Sequence, residues 1–167
     1  MVKPYVQSIA DVAWDLLQAE GADALSMRRI AEELGVSAPS LYKHVDSRDA
    51  IVALVQARAL TEGADVMRRA SARASERPRL AAALAYRRWA LRHPAQYRVT
   101  NDGPLLRDRL PEGLEDRAVE PVLMLAGGDR DQARVDWATA HGLISLELAG
   151  RFPHRADVDV LWERAFG

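Results

Sequence analysis

The chain of 167 residues is predicted to be all-α. Three observations carry this. Apolar residues recur at i, i+3, i+4 and i+7 along the chain, no useful stretch alternates as a half-buried strand does, and turn signals separate the periodic segments. In the first helix Ile9, Val12, Ala13, Leu16 and Leu17 make one apolar stripe that ends near Gly21. Ser26 is placed to cap a second helix, with Ile30, Ala31 and Leu34 inward and Gly35 stopping it. Ser37 is placed to cap a third, with Pro39 in its first turn, where a missing N–H costs nothing, and with Leu41 and Val45 inward. Ser47 caps a fourth helix whose core stripe is Ile51, Leu54 and Val55, with the aliphatic stem of Arg58 beside it; this helix reaches about Ala70.

The texture changes over residues 70–78, Ala-Ser-Ala-Arg-Ala-Ser-Glu-Arg-Pro, which reads as a connection. A fifth helix runs from about Pro78 to Arg92, where His93-Pro94 breaks it. Asn101-Asp102-Gly103-Pro104 and Pro111-Glu112-Gly113 are turn signals. A helix from about Leu114 to Ala126 ends at Gly127-Gly128, and a long helix over 131–150 is closed by Gly150. Beyond Phe152-Pro153, Val158, Leu161, Trp162, Ala165 and Phe166 make the apolar stripe of a last helix. No internal repeat is visible.

Composition removes several function classes. At 49% hydrophobic and 28% charged residues the chain reads as an ordinary globular protein. No apolar run reaches the roughly 18–20 residues of a membrane span, and the start lacks the basic and apolar regions of a signal peptide. The absence of cysteine excludes disulfides, thiolate zinc sites and a cysteine nucleophile. A cytoplasmic protein with no membrane partner is expected. Charge is distributed unevenly: residues 1–50 carry −3, residues 51–110 carry +7 and residues 111–167 carry −5, within a net charge of −1. The middle segment could favour an acidic ligand or flanking phosphates, and equally fits a solvated face balanced by the acidic C-terminal segment.

Residues 24–55 carry the most specific signal. Two short helices meet at Gly35, and the second keeps Leu41 and Val45 on one side with Ala38, Pro39, Ser40, Tyr42, Lys43 and His44 on the other. That is the build of a helix-turn-helix, which lays its second helix in the DNA major groove. Small residues come first and permit close approach: Ala38 and Pro39 could meet a thymine methyl, and Ser40 a base or a phosphate. Tyr42, Lys43 and His44 are better placed for phosphates, and Ser26 and Arg28 would anchor the preceding helix on the backbone. Because residues 1–50 are acidic overall, affinity must rest on local groups, with Arg28, Arg29, Lys43, His44 and Arg48 clustered around the turn. Taken alone, the same face also fits an ordinary solvated helical hairpin.

Ser-Met-Arg-Arg-Ile-Ala, then Leu-Gly-Val-Ser-Ala-Pro-Ser-Leu-Tyr-Lys-His-Val, then Ser-Arg-Asp-Ala-Ile, resembles the DNA-binding domain of the TetR family of bacterial transcriptional regulators over about residues 8–55. Val45 stands where the family usually has Phe, and Arg48 where it usually has Lys. The segment ahead of the first helix is short, so no minor-groove arm is expected. The resemblance implies a DNA-binding set of Ser26, Arg28, Ser37, Ala38, Pro39, Ser40, Tyr42, Lys43, His44 and Arg48 in a domain over 1–47. It further implies a helical ligand-binding and dimerisation domain over 48–167.

The remainder offers its own support. Ala138, Gly142, Ser145 and Ala149 fall on one narrow stripe of the long helix, fit for close approach by another helix, whether internal or a partner's. Trp137, Ile144 and Leu148 form a neighbouring apolar stripe, so that helix must be buried from more than one direction. With Leu161 and Trp162 of the last helix it composes an expected homodimer contact. The segments around Tyr86–Tyr97 and Trp137–Leu148 resemble a TetR C-terminal subgroup with a Trp-His-Gly-type motif, although here three residues separate Trp137 from His141. Candidate ligand-binding residues are Trp89, Tyr97, Leu106, Met124, Trp137 and His141, apolar walls with a few polar handles; each also fits core packing.

Catalysis finds no constellation. The histidines at 44, 93, 141 and 154 lack metal-ligand spacing, no Gly-rich phosphate loop occurs, and Ser145 one turn from His141 has no third member or oxyanion hole. No cofactor or metal is expected. The function expected is a homodimeric, ligand-responsive transcriptional repressor. A small-molecule effector would release it from a double-stranded DNA operator, by a population shift that the fourth helix transmits. The acidic balance of residues 1–50 motivates the alternative, a helical interaction or ligand-sequestering module that does not read DNA.

Overall fold

A computed structural model describes residues 4–167, which hold nine α-helices and no strand among the described residues. They are α1 (Pro4–Glu20), α2 (Met27–Glu33), α3 (Ala38–Leu41), α4 (Arg48–Arg73), α5 (Pro78–Arg92), α6 (Pro94–Asn101), α7 (Leu114–Leu125), α8 (Arg130–Leu148) and α9 (Val158–Phe166). Single 3-10 turns lie at Ala22–Ala24 and Arg107–Arg109. No helix is long and apolar enough to cross a membrane among the described residues. The expectation of a short arm falls on residues 1–3, outside the described residues.

Local chemistry accounts for most boundaries. The Ser26 hydroxyl accepts from the Arg29 N–H at 3.2 Å and caps α2, and the Ser47 hydroxyl accepts from the Ala50 N–H and caps α4. Ser37 departs from expectation. Its backbone is extended, as at an N-cap, but its hydroxyl bonds no α3 amide and lies 3.1 Å from the Ser40 hydroxyl. α2 ends on Gly35 at φ 66°, with the Val36 N–H reaching Ala31 O and the Gly35 N–H reaching Glu32 O; that backbone suits glycine because a Cβ would crowd the following carbonyl. α6 is an addition to the sequence reading. Pro94 sits at its first turn, so the residue that ends α5 also starts the next helix.

The chain gathers into two compact units that are discontinuous in sequence. The first takes the residues up to Leu60 and His93–Glu112; the second takes Thr61–Arg92 and Gly113–Gly167. The boundary expected at residue 47 separates the helix-turn-helix in sequence, whereas these units divide the chain at 60, 92 and 112. α4 contributes its first half to one unit and its second half to the other.

In the first unit the expected stripes form the core: Ile9, Ala13, Leu17, Leu25, Ile30, Leu41, Ile51 and Val55 are all but inaccessible. The segment 93–112 belongs here because two buried amides hold it. Gln56 donates to Val99 O and Pro104 O and accepts from the Leu106 N–H, and Gln96 donates to Trp14 O. The Arg58 guanidinium lies 4.1 Å above the Trp14 ring and bonds Asp11, so its stem and its charge both face α1.

In the second unit α5 packs on α8 and α9, and α7 packs on α8. Trp162, Phe166, Ile144, Leu80 and Ala90 are buried at its centre. Arginines fasten the helices. Arg79 grips Asp136 with two bonds of 2.6 and 2.9 Å, Arg87 joins Glu147 to Asp159, and Arg77 pairs with Glu163. Burial alone would push the Asp136 carboxyl up, but the Arg79 guanidinium and the Gln132 amide outweigh it and hold it below the usual carboxylate range.

Candidate nucleic-acid interface

The α2–α3 hairpin presents one face because its other face is used. Ile30, Ala31, Leu41 and Val45 are buried, which leaves Ser37, Pro39, Tyr42, Lys43 and His44 exposed and Ala38 and Ser40 half-exposed. α3 itself is four residues long. Hydrogen-bonded turns continue past it, from the Tyr42 N–H to Ala38 O, the His44 N–H to Leu41 O and the Val45 N–H to Leu41 O, so the helical turning carries on from α3 toward Val45. Tyr42 is the most exposed aromatic group here, at 55% of its free surface. A large apolar ring with a hydroxyl tip, left in water at the end of a reading helix, is available to a phosphate rather than to the core.

The cationic groups divide by role. The Arg28 side chain is 88% exposed, pairs with Glu32 one turn along α2 and remains at the surface. Arg29 is consumed structurally: it bonds Glu20 at the end of α1 and Glu33 on α2, which raises its own pKa and lowers that of Glu20. Arg48 donates to Ala22 O at 3.2 Å, tying the start of α4 to the 3-10 turn while its side chain stays exposed. His44 carries a contact that the sequence does not announce, a tilted ring contact with Tyr5 of α1 with centroids 4.2 Å apart.

The acidic balance of residues 1–50 has a structural counterpart. Glu20 and Glu33 meet Arg29, Glu32 meets Arg28 and Asp11 meets Arg58. Asp46 meets the Ser47 hydroxyl and Arg109; the hydroxyl first, and the guanidinium with it, overcome burial and hold its carboxyl below the usual range. Tyr42, Lys43 and His44 therefore stand on a hairpin whose α2 carboxylates, Glu32 and Glu33, already face cations.

The expected ligand-binding residues do not form one cluster within either unit. Tyr97 is buried and Leu106 half-buried in the first unit, where Leu106 serves Gln56 through its backbone. Trp89, Met124, Trp137 and His141 belong to the second. Trp89 is buried, stacked with Tyr86 and bonded through Nε1 to Glu62, and Gly63 lets the Tyr86 ring lie close against α4. Trp137 stacks on His141 at 5.5 Å but is half exposed, and Met124 is 71% exposed. Of the expected dimer residues, Ala138 and Ala149 are exposed and Gly142, Ser145 and Leu161 half-buried. Trp162 is fully buried against Phe166 and has no surface to offer a partner.

The family model described as "Bacterial regulatory proteins, tetR family" matches residues 9–55, the hairpin and its supports. A second, "Tetracyclin repressor-like, C-terminal domain", matches residues 80–167. The chain belongs to the TetR family. Among curated relatives of this TetR-family protein, the uncharacterised HTH-type transcriptional regulator Rv0681 of Mycobacterium tuberculosis is 33% identical over 153 residues, 86% of this chain and 70% of the relative. The HTH-type regulator YobS of Bacillus subtilis is 31% identical over 143 residues, 83% of this chain and 72% of the relative. The class D tetracycline repressor of Escherichia coli matches over 46 residues at 39% identity, 28% of this chain and 21% of the repressor. The crystal structure of SCO4313, described as regulatory, superposes with a TM-score of 0.74 at 28% identity, covering 96% of this chain and 92% of that one.

As a TetR-family member the protein is a DNA-binding transcriptional regulator, and the family is one of regulators rather than enzymes. Its departures from the family pattern are structurally mild. Val45 is 5% exposed and closes the core beneath the hairpin, and Arg48 keeps a cation at the start of α4.

Proposed function

We propose that the protein is a homodimeric repressor that a small-molecule effector releases from its operator. The observation that carries the DNA contact is the Ala38–Val45 run, whose apolar side is buried and whose Pro39, Tyr42, Lys43 and His44 face solvent. Ser26, Arg28, Ser37, Ala38, Ser40 and Arg48 flank these groups and complete the contact surface. A single helix end of this size reads only a few base pairs, so two copies on successive major-groove turns supply the affinity.

Support for the second copy comes from α8. Val135, Ala138, Gly142, Leu146 and Ala149 recur at three- and four-residue steps along it, and Val135 and Leu146 are 57% and 44% exposed. A stripe of apolar and small side chains left in water on a long helix suits a helix of the same kind from another protomer. The effector is held in the second unit, where Trp89 with Tyr86 and Glu62, and Trp137 with His141, offer rings and polar handles. Its binding favours a dimer whose two reading helices no longer match the groove spacing, with α4 carrying the change.

Selecting a random-sequence duplex pool on the full chain tests the reading. A recovered duplex that binds sequence-specifically, with affinity falling steeply as salt rises, is expected. Recovery of no preferred sequence would sink it.

A further inference from the structure

We propose that Tyr5 is a positioning residue that holds the His44 imidazole for a DNA phosphate; this rests on the reading that His44 makes such a contact. His44 lies beyond α3, in the hydrogen-bonded turns that follow it, and its side chain is exposed. An exposed side chain at a fraying helix end loses rotamer freedom when it binds, and this weakens the contact it makes.

Tyr5 removes part of that loss in advance. It sits in the first turn of α1, half-buried, with its ring centroid 4.2 Å from that of His44 and the rings inclined at 38°. Aromatic pairs commonly meet at about 4.5–7 Å, so this is a close, tilted ring contact. A ring laid against the imidazole restricts its rotation, and the ring nitrogens, which lie in the imidazole plane, are the atoms that would bond a phosphate oxygen. Tyr5 also lies ahead of residues 9–55, the span that the DNA-binding family model matches, so the support comes from this chain's own N-terminal turn.

The test is a double-mutant cycle on the full chain, read by anisotropy of a labelled duplex selected as above. Tyr5→Ala is expected to weaken binding about three- to ten-fold, the span of an aromatic pair. Tyr5→Phe keeps the ring and stays within about two-fold of wild type, because the ring contact needs no hydroxyl. In the His44→Ala background, Tyr5→Ala causes no further loss. Melting curves for each variant show whether the hairpin stays folded at the assay temperature. A loss that persists without His44 overturns the proposal, as does a Tyr5→Phe variant as weak as Tyr5→Ala, which would make the hydroxyl the contact. His44→Ala binding like wild type would instead remove the phosphate contact itself, a failure distinct from additivity of two real losses.

Discussion

At the scale of single residues, exposure separates the side chains proposed to meet DNA from those that hold the hairpin. Tyr42 and Lys43 are exposed and project from helical turns whose inward positions are already filled. Tyr42→Ala and Lys43→Ala are each expected to abolish operator binding, with the circular dichroism and the sedimentation coefficient of the dimer unchanged; a shift to monomer in either variant would contradict the assignment. Gln56 is the opposite case. It is 1% exposed, and its amide serves Val99 O, Pro104 O and the Leu106 N–H. Gln56→Leu leaves these backbone groups without partners and should lower unfolding stability by about 2–4 kcal/mol in denaturant titrations. The exposed face of the hairpin was legible in the sequence, because Leu41 and Val45 define its inward side. The roles of Gln56, Arg109 and Tyr5 were not, because each depends on a partner many positions away.

At the scale of elements, capping and turn chemistry account for what could be read in advance. Ser26 brackets α2 through its hydroxyl and Gly35 through its left-handed backbone. Gly35→Ala would meet nothing within 4 Å, yet its φ of 66° is strained for any Cβ, so a loss of about 1 kcal/mol is expected from thermal unfolding. Proline was the ambiguous signal. His93-Pro94 marks the end of α5 and the start of α6 at once, and Pro121 lies inside α7. Pro94 loses no helical bond in the first turn of α6, whereas Pro121 gives up the bond its N–H would have made to Arg117 O and α7 still continues, so a proline alone did not decide where a helix ends. The Ser37–Ser40 hydroxyl contact displaced an expected cap in the same way, since two short side chains at that spacing can choose each other over the backbone.

At the scale of the whole molecule, the second unit combines a paired charge interior with an apolar stripe left in water. Asp136, buried and held below the usual carboxylate range by Arg79 and Gln132, stabilises the fold above the pKa of an unfolded aspartate. That contribution is lost as pH falls through its folded value, so the melting temperature should drop on acidification. Asp136→Asn should flatten this dependence and cost about 1.5–3 kcal/mol at neutral pH. Leu146→Glu on the exposed stripe of α8 is expected to give a folded monomer in sedimentation, with operator affinity reduced by at least about 100-fold because one half-site remains. A dimer unaffected by this change would place the partner surface elsewhere. By itself the sequence determined the all-α class, most helix boundaries and the inward side of the reading hairpin. These depend on neighbours three or four residues apart and on caps that act within one turn. Only the tertiary structure decided that 93–112 belongs with the N-terminal helices, that Tyr97 and Trp162 are core, and that Met124 and Trp137 lie at the surface. Each of these depends on which distant segment covers an apolar side chain, and helical spacing shows that a face is apolar without naming what covers it.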